Sequence, residues 1–136
     1  VTEALVDTDI LSFYFKGDEK VVEGFTTYLK EFDQITISII TYYEIIAGLK
    51  FKKADKQLSD FEDFVDNNTI LHISEDSVKL SAEIFADLRH KGITIGTSDI
   101  LMAGIALHNG LTLVTNNMKH YEAISGLLLA NWKKLI

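Results

Sequence analysis

The stretch Leu5-Val6-Asp7-Thr8-Asp9-Ile10-Leu11-Ser12 decides the fold, because it joins a strand, a polar turn and the start of a helix. The largely apolar segment 3–6 predicts a short strand. Asp9 is the predicted N-cap of a helix over residues 9–15. A buried strand that leads directly into a helix is typical of a parallel sheet covered by helices.

The same alternation of strands and helices continues along the chain. Clusters of apolar and β-branched residues predict further strands at 35–39, 69–73, 111–114 and 127–130. Helical periodicity predicts further helices at 21–29, 41–49, 56–65, 75–91 and 99–108. Thr41 is the predicted cap of the helix over residues 41–49. We therefore expect an α/β fold, with residues 1–136 forming a single domain.

The longest predicted helix, over residues 75–91, has a clear amphipathic pattern. Lys79, Glu83 and Asp87 are predicted to face water. The opposite side carries the residues predicted to be buried, which are Val78, Ala82, Phe85 and Leu88.

Composition excludes several classes of protein. The 136 residues are 47% hydrophobic and 24% charged, which is typical of a globular domain and not of a disordered chain. Because cysteine is absent, the chain has no disulfide, no thiol nucleophile and no cysteine-ligated zinc. No apolar run is long enough to cross a bilayer, and the first residues lack the pattern of a signal peptide. We therefore expect a cytoplasmic protein with no membrane partner.

The net charge limits the kinds of nucleic-acid protein that this chain can be. The net charge is −7, from 13 Lys and Arg against 20 Asp and Glu. Such a chain lacks the basic face of a protein that coats DNA. It is compatible with an enzyme that acts on nucleic acid through metal ions, since clustered carboxylates make a chain acidic. The one basic cluster includes Lys50, Lys52 and Lys53, which either solvate a surface or contact an RNA backbone.

Asp7 lies at a position where parallel α/β sheets usually carry functional residues. It directly follows the first strand, and Thr115, Asn116 and Asn117 directly follow the fourth. In such sheets ligands bind beyond the carboxyl ends of the strands, at a switch in strand order. The alternative interpretation of Asp7 is a residue that favours a turn or the start of a helix.

Glu44 and Asp99 are carboxylates on otherwise apolar helix faces. Glu44 has Ile40 and Ala47 as its face neighbours, and Asp99 has Met102. The structural alternative for Glu44 is a charge at the rim of an amphipathic helix. The structural alternative for Asp99 is a favourable contact with the helix dipole. A carboxylate on a buried face needs a basic group or a metal ion, because an isolated buried charge is costly.

Four stretches in this order resemble the PIN-domain family, in particular the VapC toxin ribonucleases of toxin–antitoxin pairs. They are residues 5–12, the sequence TYYEIIAGL at 41–49, IGTSDILMA at 95–103 and LVTNN at 113–117. The resemblance covers nearly the whole chain. It implies a three-layer α/β/α fold with a parallel sheet of about five strands in the order 3-2-1-4-5.

The resemblance also implies an activity and a set of site residues. The catalytic acids of the family match Asp7, Glu44 and Asp99, and its fourth acidic position falls at Asn117. Thr8, Asp9 and Thr115 match polar positions around the site. The implied protein is an Mg²⁺- or Mn²⁺-dependent endoribonuclease that cuts RNA, with tRNA as one substrate, and inhibits translation. The implied partners are a cognate antitoxin and a second copy of the chain.

The chemistry of the three acids agrees with this resemblance. Carboxylates about 5 Å apart repel by roughly 3 kcal/mol per pair at an effective dielectric constant of ~20, so such a cluster needs a cation. Oxygen ligands suit Mg²⁺ or Mn²⁺ better than zinc. We expect Asp7 and Asp99 to bind this metal, and Glu44 to bind a second metal or orient the attacking water. Asn117 offers a neutral carbonyl oxygen.

Three other interpretations stay open. A haloacid dehalogenase-type phosphatase begins with the D-x-D pattern of Asp7 and Asp9, but its lysine and second acidic motif are not evident. A receiver-type signalling domain also has acids after its first strand, but Lys119 is a poor match for its lysine. An inactive PIN-like scaffold that binds RNA or a protein is the third.

Overall fold

Short strands alternate with helices throughout the computed structural model, which describes residues 2–134. The strands are β1 (Ala4–Val6), β2 (Thr36–Ser38), β3 (Thr69–Leu71), β4 (Thr112–Val114) and β5 (Leu129–Ala130). The helices are α1 (Thr8–Phe15), α2 (Glu19–Leu29), α3 (Ile39–Phe51), α4 (Asp55–Asp66), α5 (Glu75–His90), α6 (Thr97–His108) and α7 (Met118–Tyr121). The predicted bounds differ from these by one or two residues, and only α7 was not predicted. None of these helices is long and apolar enough to span a membrane.

The strands are parallel and follow the predicted order. β1 pairs with β4, β4 pairs with β5, and β2 pairs with β3, all in parallel. β1 also lies against β2. Hydrogen bonds thus join the strands into a three-stranded sheet, β1-β4-β5, and a two-stranded sheet, β2-β3. The contact between β1 and β2 places the two side by side, in the order β3-β2-β1-β4-β5.

Helices cover both faces of the sheet, which gives the predicted three layers. Successive side chains of a strand point to opposite faces. In β1, Leu5 packs into one apolar cluster with Met102 of α6. Val6 packs into the other cluster with Ile10 of α1 and Phe25 of α2. All five side chains are at most 2% exposed, so the strand is buried on both sides.

Two of the predicted helix caps were wrong, for the same reason. Helix α1 begins at Thr8 with Asp7 as its N-cap, and not with Asp9. Helix α3 begins at Ile39 with Ser38 as its N-cap, and the Ser38 side chain accepts a hydrogen bond from the backbone N–H of Thr41. In both cases the last strand residue is followed by a helix with almost no loop, so the capping group lies two or three residues earlier than predicted.

The predicted buried face of α5 was also wrong in part. Val78, Ala82 and Phe85 are exposed, with Val78 at 42% and Phe85 at 47%. Leu88 is buried as predicted. The buried face consists of Ser77, Ser81, Ile84 and Leu88.

Close packing between α5 and α6 explains this choice of face. The Ser81 hydroxyl is buried and donates a 3.0 Å hydrogen bond to the carbonyl oxygen of Ile100. A Cβ atom at Gly104 would lie 2.0 Å from Ser81 Oγ and 2.6 Å from the backbone oxygen of Ser77. Small residues on both helices permit this approach, and the larger Val78 and Phe85 would prevent it. Hydrophobicity alone could not identify a serine-lined interface.

Gly104→Ala tests this packing. We expect it to destabilise the protein by about 1–3 kcal/mol, since the added methyl group must displace backbone atoms of α5. Gly48→Ala is the matched control, because Gly48 also lies within a helix but has open space around its Cβ position. The control should gain roughly 0.5–1 kcal/mol from helix propensity. Urea denaturation measures both changes, and a Gly104 variant as stable as the control would contradict the packing.

Candidate active site

The sheet brings Asp7 and Thr115 together at its carboxyl edge. The backbone N–H of Asp7 donates to the carbonyl oxygen of Val114 at 2.9 Å, which extends the pairing of β1 and β4 by one residue. The Thr115 hydroxyl then donates to Asp7 Oδ2 at 2.8 Å. The other oxygen of Asp7 accepts the backbone N–H of Thr8 at 2.8 Å. Asp7 is thus fixed by the sheet and by the start of α1.

Asp7 is a buried acid that holds its proton unusually tightly. Only 8% of the residue is exposed. Burial raises the pKa of Asp7 from 3.8 to about 7, and the charges of Asp9 and Asp99 raise it as well. The hydrogen bonds from Thr115 and Thr8 act in the opposite direction. The carboxyl group is therefore protonated in a large fraction of molecules near neutral pH.

Asp9 lies beside Asp7 and is held by the segment that follows β4. Its Oδ2 accepts the backbone N–H of Asn116 at 3.0 Å. Burial raises the pKa of Asp9, against the effect of backbone hydrogen bonds from Asn116 and Ile10. Asp9 therefore links α1 to the loop after β4 in place of the predicted role as a cap.

Asp99 is held from two sides by residues that sequence reasoning missed. It lies in the first turn of α6. The Tyr121 hydroxyl donates to Asp99 Oδ1 at 2.9 Å, and His120 Nε2 lies 2.8 Å from Oδ2. Burial raises the pKa of Tyr121 well above its usual range, so this phenol stays a hydrogen-bond donor. Both residues belong to the short helix α7, and their position after β4, at the carboxyl edge, was the available signal.

Glu44 joins the site through hydroxyl groups. It is half-buried on α3 and accepts a 2.6 Å hydrogen bond from the Thr8 hydroxyl. The Thr8 hydroxyl also lies 2.9 Å from Thr41 Oγ1, so three residues from two helices form one chain of polar contacts. Thr8 thereby connects Glu44 to the start of α1, next to Asp7.

The remaining predicted site residues are spread more widely. Asn117 is exposed, and its backbone N–H donates to Thr115 Oγ1 at 3.1 Å. Lys50, Lys52 and Lys53 are all exposed. Only Lys52 among them borders a groove of about 470 Å³ that starts at Thr8 and Glu44. The groove lies between α1, α3 and α4, and its lining also includes Ser12, Phe15, Lys16, Ile45, Leu49 and Phe61.

The acids are near one another but do not converge on a single point. Within residues 2–134, no three acidic or histidine side chains are arranged to hold one metal ion directly. In this arrangement each carboxylate has its own hydrogen-bond donor: Thr115 for Asp7, Thr8 for Glu44 and Tyr121 for Asp99. A shared metal ion for the three acids stays a prediction.

The donor set nevertheless fits a hard divalent cation. Asp7, Asp9 and Asp99 supply carboxylate oxygens, and the negative charge of Asp99 raises the pKa of both Asp7 and Asp9. In the described part of the chain, no lysine or arginine forms an ion pair with any of the three. Oxygen ligands with an excess of negative charge suit Mg²⁺ or Mn²⁺. Direct coordination would require Asp99 to exchange at least its contact with His120.

Known proteins are similar to this chain in sequence and in fold. The PIN domain profile matches residues 4–124. The chain is 30% identical to Ribonuclease VapC2 of Rickettsia felis over 96% of its length and 98% of the relative. It is also 30% identical to the tRNA(fMet)-specific endonuclease VapC of Salmonella typhimurium, over 94% of this chain and 96% of that one.

Solved structures agree with these sequence matches. The chain superposes on VapBC2 from Rickettsia felis bound to a promoter DNA fragment, with a TM-score of 0.87, 29% identity, and coverage of 95% and 98% of the two chains. For DNA-bound VapBC from Salmonella typhimurium the TM-score is 0.86, the identity 29% and the coverage 97% and 99%. The sequence profile, the relatives and the fold agree, and this chain belongs to the PIN domain family as a VapC-like member.

Proposed function

We propose that the chain is a metal-dependent endoribonuclease that cuts RNA by attack of water on a phosphodiester bond. The observation that carries the proposal is the buried Asp7, whose pKa is raised to about 7 beside Asp9 and Asp99. Such strongly perturbed acids at the carboxyl edge of a parallel sheet are typical of a functional site. The ribonuclease names of the relatives support the choice of chemistry.

Each acid has a distinct part in this proposal. Asp7 and Asp99 would hold the metal, with Glu44 holding a second metal or orienting the attacking water. When bound, the metal supplies a water of lowered pKa and neutralises charge on the phosphoryl oxygen. Thr8 orients Glu44, and Thr115 orients Asp7. Asn117 is exposed at the same edge and would offer its amide to the substrate phosphate.

The groove next to Glu44 would receive RNA near the scissile phosphate. Its lining includes the exposed aromatic ring of Phe15 and two lysines, Lys16 and Lys52. Aromatic surfaces with nearby cations suit the bases and backbone of single-stranded RNA. Lys50 and Lys53 would extend the basic border outside the groove. A structured tRNA is the proposed substrate, because a relative is named a tRNA(fMet)-specific endonuclease.

A cognate antitoxin would neutralise the enzyme, which would otherwise inhibit translation in the cytoplasm. The solved relatives include VapBC complexes. The negative charge around Asp7 is a natural target for an arginine or lysine of that partner, since the cation would replace the charge of the metal. A candidate from a neighbouring gene that binds without lowering RNA cleavage would contradict this role. We also propose a homodimer, which light scattering tests independently.

Asp99→Asn tests the proposed activity. We expect Mg²⁺-dependent cleavage of total tRNA to fall roughly 100-fold or more, because an amide is a poor substitute for a charged metal ligand. The melting temperature should change little, since Asn keeps the size and the contact with Tyr121, and a weakened dipole contact costs at most about 1 kcal/mol.

Asp87→Asn is the matched control for this experiment. It removes the same charge from an exposed aspartate of α5 that pairs with Lys91 on the protein surface. The control should retain full cleavage. An Asp99 variant that melts early but cleaves like the control would show that Asp99 has only a structural role.

The raised pKa of Asp7 predicts a pH-dependent stability in the metal-free protein. Below about pH 3 the carboxyl group is protonated in both states, because its pKa is near 3.8 when unfolded and about 7 when folded. As the pH rises to 7, the unfolded chain loses this proton first. The free energy of unfolding therefore falls by about 1.4 kcal/mol for each unit by which the folded pKa exceeds the unfolded pKa.

Asp7→Asn should remove this dependence while keeping the N-cap of α1. In EDTA, the variant should match the wild type near pH 3 and exceed its stability at pH 8. Added Mg²⁺ should stabilise the wild type at pH 8 but not the variant. Urea denaturation at the two pH values measures these differences. Parallel pH profiles for the two proteins would contradict the buried, repelled state of Asp7.

A further inference from the structure

Asp99 has two donors of very different character. Tyr121 is 1% exposed, and its ring belongs to the same apolar cluster as Met102 and Leu113. His120 is partly exposed and lies at the surface side of the same carboxylate. The Tyr121 hydroxyl is therefore fixed by packing, whereas the imidazole of His120 has room to leave.

We infer that Tyr121 is a positioning residue that orients the Asp99 carboxylate toward the bound metal, through the hydrogen bond from its hydroxyl to Oδ1. This inference rests on the proposed function. A carboxylate oxygen that accepts one hydrogen bond still has a free lone pair for a cation. A neutral hydroxyl also brings no positive charge that would compete with the metal. His120 is the contact that the metal would displace from Oδ2.

Fixing the carboxylate matters because Asp99 is only partly buried. Its side chain is 35% exposed and is attached to the first turn of α6, so it has rotational freedom on the solvent side. A hydrogen bond from a buried, immobile ring restricts that freedom before the metal arrives. Such outer contacts to ligating carboxylates typically contribute 10- to 100-fold in metal affinity.

The fold supplies a matched control for the loss of a buried phenol. Tyr28 is also 1% exposed and its hydroxyl accepts a 3.0 Å hydrogen bond from the backbone N–H of Ala4. This bond lies at the amino end of β1, opposite the acids. Tyr28→Phe therefore removes the same group from an equally buried position without touching the site.

The experiment compares Mn²⁺ binding by calorimetry in the wild type, Tyr121→Phe and Tyr28→Phe, all metal-free at the start. We expect Tyr121→Phe to bind Mn²⁺ at least about tenfold more weakly, and to need correspondingly more Mg²⁺ for half-maximal RNA cleavage. Tyr28→Phe should bind like the wild type, even where its melting temperature falls. Equal Mn²⁺ affinity in wild type and Tyr121→Phe would overturn the inference.

The wild-type arm separates this inference from the proposed function. A wild type that binds Mn²⁺ and cleaves RNA, with an unaffected Tyr121 variant, overturns only the role of Tyr121. A wild type that neither binds Mn²⁺ nor cleaves RNA overturns both.

A measurement on the unmodified protein guards against a variant that fails to fold. With ¹³C at Cζ of every tyrosine, the Tyr121 signal should shift when Mg²⁺ is added, because its hydroxyl contacts an oxygen whose partners change. The Tyr28 signal should stay in place. A Tyr121 signal that does not respond at saturating Mg²⁺ would also overturn the inference.

Discussion

The burial of one carboxylate, Asp7, is the constraint on which the rest of the site depends. The main chain of Asp7 completes the pairing of β1 with β4, so its position is fixed by the sheet itself. Its side chain caps α1 and therefore cannot turn away into solvent. The fold thus holds an acid where ionisation is unfavourable, and the raised pKa near 7 is the direct consequence. Because a buried acid costs stability when it ionises, such an arrangement is typical of a functional site.

Neutral hydroxyl groups are the hydrogen-bond donors to the acids of the site. Thr115 donates to Asp7, Thr8 to Glu44 and Tyr121 to Asp99. A neutral donor stabilises a carboxylate without cancelling its charge, so the site keeps its negative potential while the side chains stay ordered. An ion pair with lysine or arginine would be a stronger contact, but it would occupy the position proposed for a metal or for an inhibitory side chain. His120 is an intermediate case, because its imidazole contacts Asp99 but is only partly buried.

The alternation of strands and helices predicted a parallel sheet with Asp7 at its carboxyl edge. The strand order came from the resemblance to the PIN-domain family, and Glu44 and Asp99 came from that resemblance together with their apolar helix faces. Prediction from sequence failed where the outcome depended on how closely two elements pack. The buried face of α5 is formed by Ser77 and Ser81, because Gly104 allows a close approach that no hydrophobic pattern encodes. It also missed Tyr121, whose aromatic character explains its burial but not the direction of its hydroxyl. Asp9 was preferred to Asp7 as a cap, and Ser38 was missed, because strands and helices meet almost without loops.

Mapping of the cleavage sites on total RNA, with and without Mg²⁺ and with an Asp7→Asn control, tests the central claim most directly. The account predicts discrete cuts that require the divalent ion and disappear in the control. Because water is the proposed nucleophile, the new ends should carry no 2′,3′-cyclic phosphate. Cuts that persist in EDTA, survive in the Asp7 variant or end in a cyclic phosphate would contradict metal-assisted hydrolysis at this site.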